Sequence, residues 1–344
     1  MNIHRVFTLD PWKKWEKIIL NFFFVFIILT ISSIICLLIG EFFLRWYYKD
    51  VLSTATGFSY FSEKSSQLFS SEMNGYGLRG VQISPKHDGR YRIVVQGDSF
   101  TYGQGVYPAS KRFTEILNKK LDKEEFFHGV VVFNAGICGF NLDSHIKFQK
   151  IIENFHPDFV LYQWFLNDMK IGGGTIPSYP IIPNKNIHKY LLKNSAIYTI
   201  SQIRYEQFRR VLGKQTSFDE DMVKKFQDPN SNLSKEADEL LDQLFHGYRS
   251  RGIDFGVVLF PGLFHDLSNY KFDFIHERIL AACRKYEVKC LDLTPVYKGV
   301  PHVSLWANDF DAHPGVLAHE MAAKAIYDFY GDYWQDQAAT RAKR

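Results

Sequence analysis

Gly97-Asp98-Ser99-Phe100-Thr101-Tyr102-Gly103-Gln104-Gly105 places a serine in a glycine-flanked turn directly after the apolar run Tyr91 to Gln96. A hydroxyl becomes a nucleophile when a base takes its proton and a third group orients that base. Asn308-Asp309-Phe310-Asp311-Ala312-His313-Pro314 supplies both kinds of group, a histidine, His313, and two nearby acids, Asp309 and Asp311. Attack on a carbonyl also needs hydrogen-bond donors where the negative charge develops, and losing one donor typically costs about 3 kcal/mol of barrier. The candidate donors are the amides of Ser99 and Gly136, the latter in Asn134-Ala135-Gly136-Ile137-Cys138-Gly139, and the side-chain amide of Asn167 in Phe165-Leu166-Asn167-Asp168.

These residues work together only if the chain brings their segments to one rim. Tyr91 to Gln96, Val130 to Asn134, Phe159 to Trp164, Asp254 to Phe260 and Val288 to Leu291 are short apolar runs bounded by Gly, Pro, Asn or Asp, which predicts strands. Between them lie helical faces: Phe113, Ile116, Leu117 and Leu121; Leu240, Leu241, Leu244, Phe245 and Tyr248; Phe272, Ile275, Ile279, Cys283 and Tyr286. Nearly continuous apolar strands alternating with amphipathic helices predict a parallel sheet covered on both faces. The ends of the first three strands then converge on one rim, which is where open sheets of this kind bind ligands.

The chain has 344 residues, 46% hydrophobic and 23% charged, which excludes long disorder. With 41 basic against 37 acidic side chains and no basic stripe, phosphate-driven nucleic-acid binding is not expected. From Ile18 to Gly40 no residue is charged, a length that spans a bilayer as a helix. Arg5, Lys13, Lys14 and Lys17 precede it, whereas Glu41, Arg45, Lys49 and Asp50 follow in balance, so the N-terminus is expected in the cytoplasm and the bulk of the chain outside. Trp12, Trp15, Trp46, Tyr47 and Tyr48 flank the span as interfacial aromatics do. A cleaved signal peptide would have a shorter apolar run followed closely by small residues, whereas Ser53 and Ala55 lie well beyond this one.

The expected organisation is a cytoplasmic tail (1–17), a transmembrane anchor (18–45), a linker and lead-in loop (46–89), a main domain (90–334) and a C-terminal tail (335–344). Residues 171–233 interrupt the strand–helix rhythm as a lid-like insertion. It opens on Gly172-Gly173-Gly174, passes Pro177, Pro180 and Pro183, and contains one helix predicted from about Ile187 to Val211. Four cysteines are too few for a disulfide framework, and spacing does not decide whether Cys283 and Cys290 pair. His302, His313 and His319 with Asp309 and Asp311 match no zinc signature, so no metal is expected. Asp98 and Asp168 read as braces for their own loops.

Taken together, the blocks around Ser99, Gly136, Asn167 and His313 resemble the SGNH hydrolases, also called the GDSL esterase and lipase family, from about Asn74 to Tyr330. The resemblance implies a flavodoxin-like three-layer α/β/α sandwich behind the membrane helix. It also implies a Ser99 nucleophile, oxyanion donors at Ser99, Gly136 and Asn167, His313 as general base, and no cofactor. Two positions depart from the family pattern. Phe165 stands where members commonly have Gly, and Phe310 stands where they commonly have the triad acid, which moves that role to Asp311 or Asp309. The expected activity is that of a membrane-anchored serine esterase or O-acyltransferase acting on acyl, chiefly acetyl, esters of cell-envelope carbohydrates from the periplasmic or extracellular side. The expected partners are an acylated glycan or lipid substrate, the membrane, and a second membrane protein. The alternatives are a lipid esterase or thioesterase, and a catalytically degenerate fold serving assembly or glycan binding.

Overall fold

Val, Ile and Phe dominate the strand runs because a strand buried on both faces has no solvent side to mark with polar residues. The computed structural model of the protein describes residues 11–51, 60–80, 82–83, 89–123, 129–169, 179–214 and 218–342. In chain order its elements are α1 (Pro11–Tyr47), α2 (Tyr60–Ser70), β1 (Tyr91–Gly97), α3 (Ser99–Tyr102), α4 (Phe113–Lys123), β2 (Val130–Gly136), α5 (Leu142–Glu153) and β3 (Phe159–Trp164). These are followed by α6 (Lys185–Asn194), α7 (Ala196–Val211), α8 (Phe218–Phe226), α9 (Asn232–Ser250), β4 (Asp254–Leu259), α10 (Asp273–Lys285) and β5 (Cys290–Asp292). The chain ends with α11 (Thr294–Tyr297), β6 (Trp306–Asn308), β7 (Asp311–Pro314) and α12 (Val316–Ala342).

The five main strands form one parallel sheet in the order β2-β1-β3-β4-β5. After β1 the chain adds β2 on one side, then crosses to place β3 on the other. The ends of β1 and β3 therefore border the crevice where this strand order reverses, the usual ligand position in such sheets. Side-chain alternation assigns the layers. Phe255 packs against Phe245 and Tyr248 of α9, and Tyr162 against His145 of α5. On the opposite face, Phe159 meets Tyr330 and Trp334 of α12, and Asn134 reaches Thr114 of α4. The architecture is a three-layer α/β/α sandwich with a parallel central sheet, as the sequence predicts.

β6 and β7 form an antiparallel hairpin, pairing Asn308 with Asp311. Trp306 Nε1 ties the hairpin to the chain after β4 by donating to Leu263 O at 2.6 Å. From its other side Phe310 packs on Tyr48, just past the end of α1, with ring centroids 4.9 Å apart, and on Phe61 of α2 at 6.4 Å.

Several expectations need correction. The helix predicted over Ile187 to Val211 is two helices broken at Ser195, whose extended backbone and side chain cap α7 by accepting from Tyr198 N at 3.2 Å. The break is reinforced from far away, since Glu41 of α1 accepts from Ser195 Oγ, Ala196 N and Ile197 N at 2.8 to 3.0 Å. The linker 46–89 contains α2, with Phe61, Ser65 and Phe69 buried, because its aromatic face finds the hairpin and α3. The C-terminal tail is the last part of α12, which continues to Ala342 because Tyr330 and Trp334 lie fully buried against β3. Arg5, Ser53, Ala55, Gly172 to Gly174 and Pro177 lie outside the described residues.

Tyr330 Oη lies 2.9 Å from Val257 O and 2.7 Å from Lys289 O, so its one proton is shared between two carbonyls and holds the β5 side of the sheet to α12. Tyr330→Phe leaves these buried carbonyls one donor short. It is expected to lower stability by about 1 to 3 kcal/mol, read as a lower thermal unfolding midpoint with the fold unchanged.

Candidate active site

β1 delivers Ser99 to the rim, and three clamps fix the turn that carries it. Asp98 accepts from Phe100 N at 2.9 Å, capping the short helix α3. From β3, Gln163 Oε1 accepts from Asp98 N at 3.2 Å and from Thr101 Oγ1 at 2.9 Å. From β2, Asn134 Nδ2 donates to Thr101 O at 2.6 Å. Arg79 is fully buried and pins the following loop, donating to Gly103 O at 2.7 Å and Val106 O at 2.6 Å while pairing with Glu72.

His313 meets this turn from the β6–β7 hairpin. Its Nε2 stands 2.9 Å from Ser99 Oγ, and its Nδ1 is hydrogen-bonded to Asp311 Oδ1. The same Asp311 oxygen accepts from His313 N at 3.1 Å, so one carboxylate holds both the ring and the backbone of the base. Asp311 is buried, whereas Asp309 is exposed. Burial disfavours the charged imidazolium of His313, yet the charge and hydrogen bond of Asp311, with the charge of Asp98, outweigh it and raise the pKa above the ordinary 6.5. Such an arrangement can draw a proton from a serine hydroxyl and stabilise the imidazolium that results.

His319 has a different character. Burial first, then the nearby Arg112 and Arg79 charges, lower its pKa to about 3, and its Nδ1 accepts from Phe113 N at 3.2 Å. It is a neutral core histidine. No group of three or more His, Cys, Asp or Glu side chains among the described residues is placed to hold a metal ion.

Asn167 lies in a short 3-10 turn, Leu166–Met169, directly after β3. Its position is set from beneath: Asp168 Oδ2 accepts from Phe165 N at 3.0 Å and from Tyr162 Oη at 3.1 Å, while Oδ1 stands 3.2 Å from His145 Nε2. His145 is in turn 3.1 Å from Gln96 Nε2 through its other ring nitrogen. This buried Gln96–His145–Asp168–Tyr162 network was missed from the sequence, since its members sit on β1, α5, β3 and the turn after β3, and no spacing links them. Asp98 is buried beside it, and burial followed by the charge of Asp168 raises its pKa. Both acids brace their loops as expected.

Gly136 is not available as expected. Its amide donates to Asn134 Oδ1 at 3.0 Å, and a Cβ there would stand 2.2 Å from Tyr102 N, so this glycine exists to let β2 approach α3. Gly139, in the same loop, is exposed at φ +79° with open space where a Cβ would be. Its amide has no acceptor among the described residues, and the Gly-x-x-Gly spacing from Gly136 is the sequence signal that could have pointed to it. Cys138 beside it is exposed rather than packed.

Phe165 and Phe310, the two departures from the family pattern, have structural explanations. Phe165 stacks on Phe100, next to Ser99, with centroids 4.0 Å apart. Phe310 points away from His313 into the Tyr48 and Phe61 rings, leaving Asp311 to face the imidazole.

No protein-family model and no curated protein sequence matches the chain. Solved structures similar to it include an alpha/beta hydrolase enzyme from the metagenome of Lake Arreo, at 16% identity and a TM-score of 0.42 over 70% of this chain and 95% of that one. A catalytic mutant of an acetylxylan esterase from Geobacillus stearothermophilus is similar at 15% identity and a TM-score of 0.42, over 71% and 95% of the two chains. A member of the lipolytic protein G-D-S-L family from Veillonella parvula is similar at 13% identity and a TM-score of 0.39, over 70% and 98%. These likenesses are too distant to carry an activity across.

The geometry separates the two candidate acids. Asp311→Asn is expected to lower turnover of an ester substrate by roughly 10^3 to 10^4-fold, because the imidazole loses the group that fixes its tautomer. Asp309→Asn is expected to leave turnover within about twofold, as an exposed side chain outside the triad; steady-state kinetics on both variants checks this.

Proposed function

We propose that this chain is a membrane-anchored SGNH-type serine esterase or O-acyltransferase. The observation that carries the reading is His313 Nε2 at 2.9 Å from Ser99 Oγ with Asp311 on the opposite ring nitrogen, at the rim where β1 and β3 diverge. His313 takes the Ser99 proton as the hydroxyl attacks an acyl carbonyl. The oxyanion is held by the Ser99 amide at the first position of α3, by Asn167 Nδ2, and by the Gly139 amide in place of Gly136. Collapse expels the alcohol, protonated by His313, and leaves an acyl-serine. Water then gives hydrolysis, or an acceptor hydroxyl gives transfer.

The anchoring part of the proposal rests on α1, which contains the span Trp15–Tyr47, long and apolar enough to cross a bilayer. A cleaved signal sequence fits poorly. Its removal would strip the Glu41 carboxylate from the start of α7, the Arg45 bond to Asn194 O at 2.7 Å, and the Tyr48 ring from Phe310. The Cys283–Cys290 disulfide between α10 and β5 supports an oxidising compartment, in keeping with a domain outside the cytoplasm. For the acyl group, Phe100 and Phe165 are both buried and stacked on one another beside Ser99, so these rings fill space rather than line a long acyl cleft. That favours a short acyl chain such as acetyl, carried on an envelope carbohydrate.

The test is hydrolysis of nitrophenyl esters of increasing acyl length by the full chain in detergent. Acetyl is expected to be preferred, and Ser99→Ala and His313→Ala are each expected to lower kcat by at least about 10^4-fold while thermal unfolding is unchanged. Turnover that survives Ser99→Ala would reject the mechanism. Because the base must be neutral to act, kcat/KM is expected to rise with pH, with an inflection above the ordinary imidazole value of 6.5. Asp311→Asn removes the charge that raises this pKa and is expected to move the inflection downward in a pH–rate profile.

A further inference from the structure

α1 does not leave the membrane as a free tether. Its last two turns are bonded into the insertion between β3 and β4. Glu41 accepts from Ser195 Oγ, Ala196 N and Ile197 N at the start of α7, and Arg45 donates to Asn194 O at the end of α6. Gly40 lets the two elements close, since a Cβ there would stand 3.3 Å from Ile197 Cδ1. Arg45 also lies over the Tyr60 ring of α2 at 4.7 Å. Glu41 is the first charge after the apolar run, so these bonds sit at the level where the helix leaves the hydrocarbon.

Two consequences follow from this clamp. The first concerns α6. Tyr190 lies one turn from Asn194, about 6 Å along the helix axis, and Ile187 lies on the same face one turn further back. Both are exposed, at 66% and 49%, as is Ile181 at 42%. This face is held firmly, because Ile181 N donates to Gln202 of α7 at 2.9 Å and His188 meets Tyr198 of α7 at 2.8 Å. Lys185 and Lys189 are exposed beside it. A tyrosine and an isoleucine on one face of this helix, with Ile181 exposed in the segment just before it and lysines beside them, have the composition of an interfacial membrane surface.

The second concerns the hairpin. Tyr48, the first residue past α1, packs on Phe310, and Arg204 of α7 covers the same ring at 5.2 Å. Phe310 is the immediate neighbour of Asp311, so the residue that makes the aromatic contact with the end of α1 is bonded directly to the orienting acid. The active-site hairpin and the clamp are one packed unit.

We infer that the Ile187–Tyr190 face of α6, with Ile181 just before the helix, rests in the headgroup layer of the bilayer that α1 crosses, and that the site takes its ester from an amphiphile embedded in that same bilayer. The surface rests on the anchoring reading alone, whereas the substrate class also rests on the esterase reading. The occupant is the bilayer rather than a protein because the face is continuous with a helix whose own partner is lipid, and because its basic rim complements anionic headgroups.

The surface is tested with the full chain in vesicles of phosphatidylethanolamine and phosphatidylglycerol, with nitroxide labels at Ile187→Cys and Tyr190→Cys after replacing Cys36 and Cys138 by alanine. A third label at Glu239→Cys, exposed on α9, serves as the water reference. Labels at 187 and 190 are expected to be shielded from a water-soluble nickel chelate and accessible to oxygen; chelate accessibility equal to that at 239 overturns the membrane surface. The substrate class is tested with a fluorogenic acetyl ester on a long alkyl tail. Placed in the protein's own vesicles, it is expected to be cleaved at least about tenfold faster than in protein-free vesicles mixed with them, since confinement to one surface raises effective concentration. Equal rates overturn the substrate class. Loss of turnover towards water-soluble nitrophenyl acetate counts against the esterase reading instead, and the labels still decide the surface.

Discussion

The proposed chemistry depends on one imidazole held at both nitrogens. His313 sits between Ser99 Oγ and the Asp311 carboxylate; the acid comes from its own strand, but Ser99 comes from the turn after β1, more than 200 residues earlier in the chain. An imidazole free to rotate would lose the tautomer that leaves Nε2 able to accept a proton. The fold therefore has to hold two rigid bodies in register: the clamped turn after β1, and the β6–β7 hairpin. The first is secured by polar side chains of β2 and β3, Asn134 and Gln163, whose bonds to α3 would be weak in water but are strong when buried. The second is secured by Trp306 on one side and Phe310 on the other.

That second support joins the end of α1 to the hairpin that carries His313. Phe310 stands where the family pattern leads one to expect an acid, and its ring is spent on Tyr48 and Phe61 instead. The orienting acid shifts to Asp311, whose oxygen also accepts from the backbone of His313, so the shorter spacing costs no contact. A substitution that looks like decay in the sequence is the point where the hairpin is joined to the exit of α1. Glu41 performs the matching task on the insertion, capping α7 from a different element as a local Asp or Glu would cap a helix start.

The parts of the fold legible in the sequence were those whose cause is local. β1 and β3 are predominantly apolar because both faces are buried, and their ends were placed within a residue of the observed ones. The Ser99, Asn167 and His313 segments were visible because turns and polar loops after apolar strands stand out. What was hidden has a long-range cause. The break at Ser195 looks continuous in helical period and is reinforced by Glu41, 154 residues away. α2 lacks a clear apolar stripe, yet Phe61 finds the hairpin and Phe69 lies under the Arg79 guanidinium at 3.6 Å. Gly136 and Gly139 cannot be told apart by composition. One is a glycine because a backbone passes against it, the other because its φ is positive, and only coordinates reveal which amide is already bonded.

The central claim is that Ser99 carries the acyl group. The most direct measurement is to quench the full chain with acid during turnover of nitrophenyl acetate and map the acetylated peptide by mass spectrometry. An acetyl group on Ser99, absent from Ser99→Ala and strongly diminished in His313→Ala, is the predicted result. An acetyl group on another side chain in the wild-type protein, unchanged in Ser99→Ala, would contradict the account.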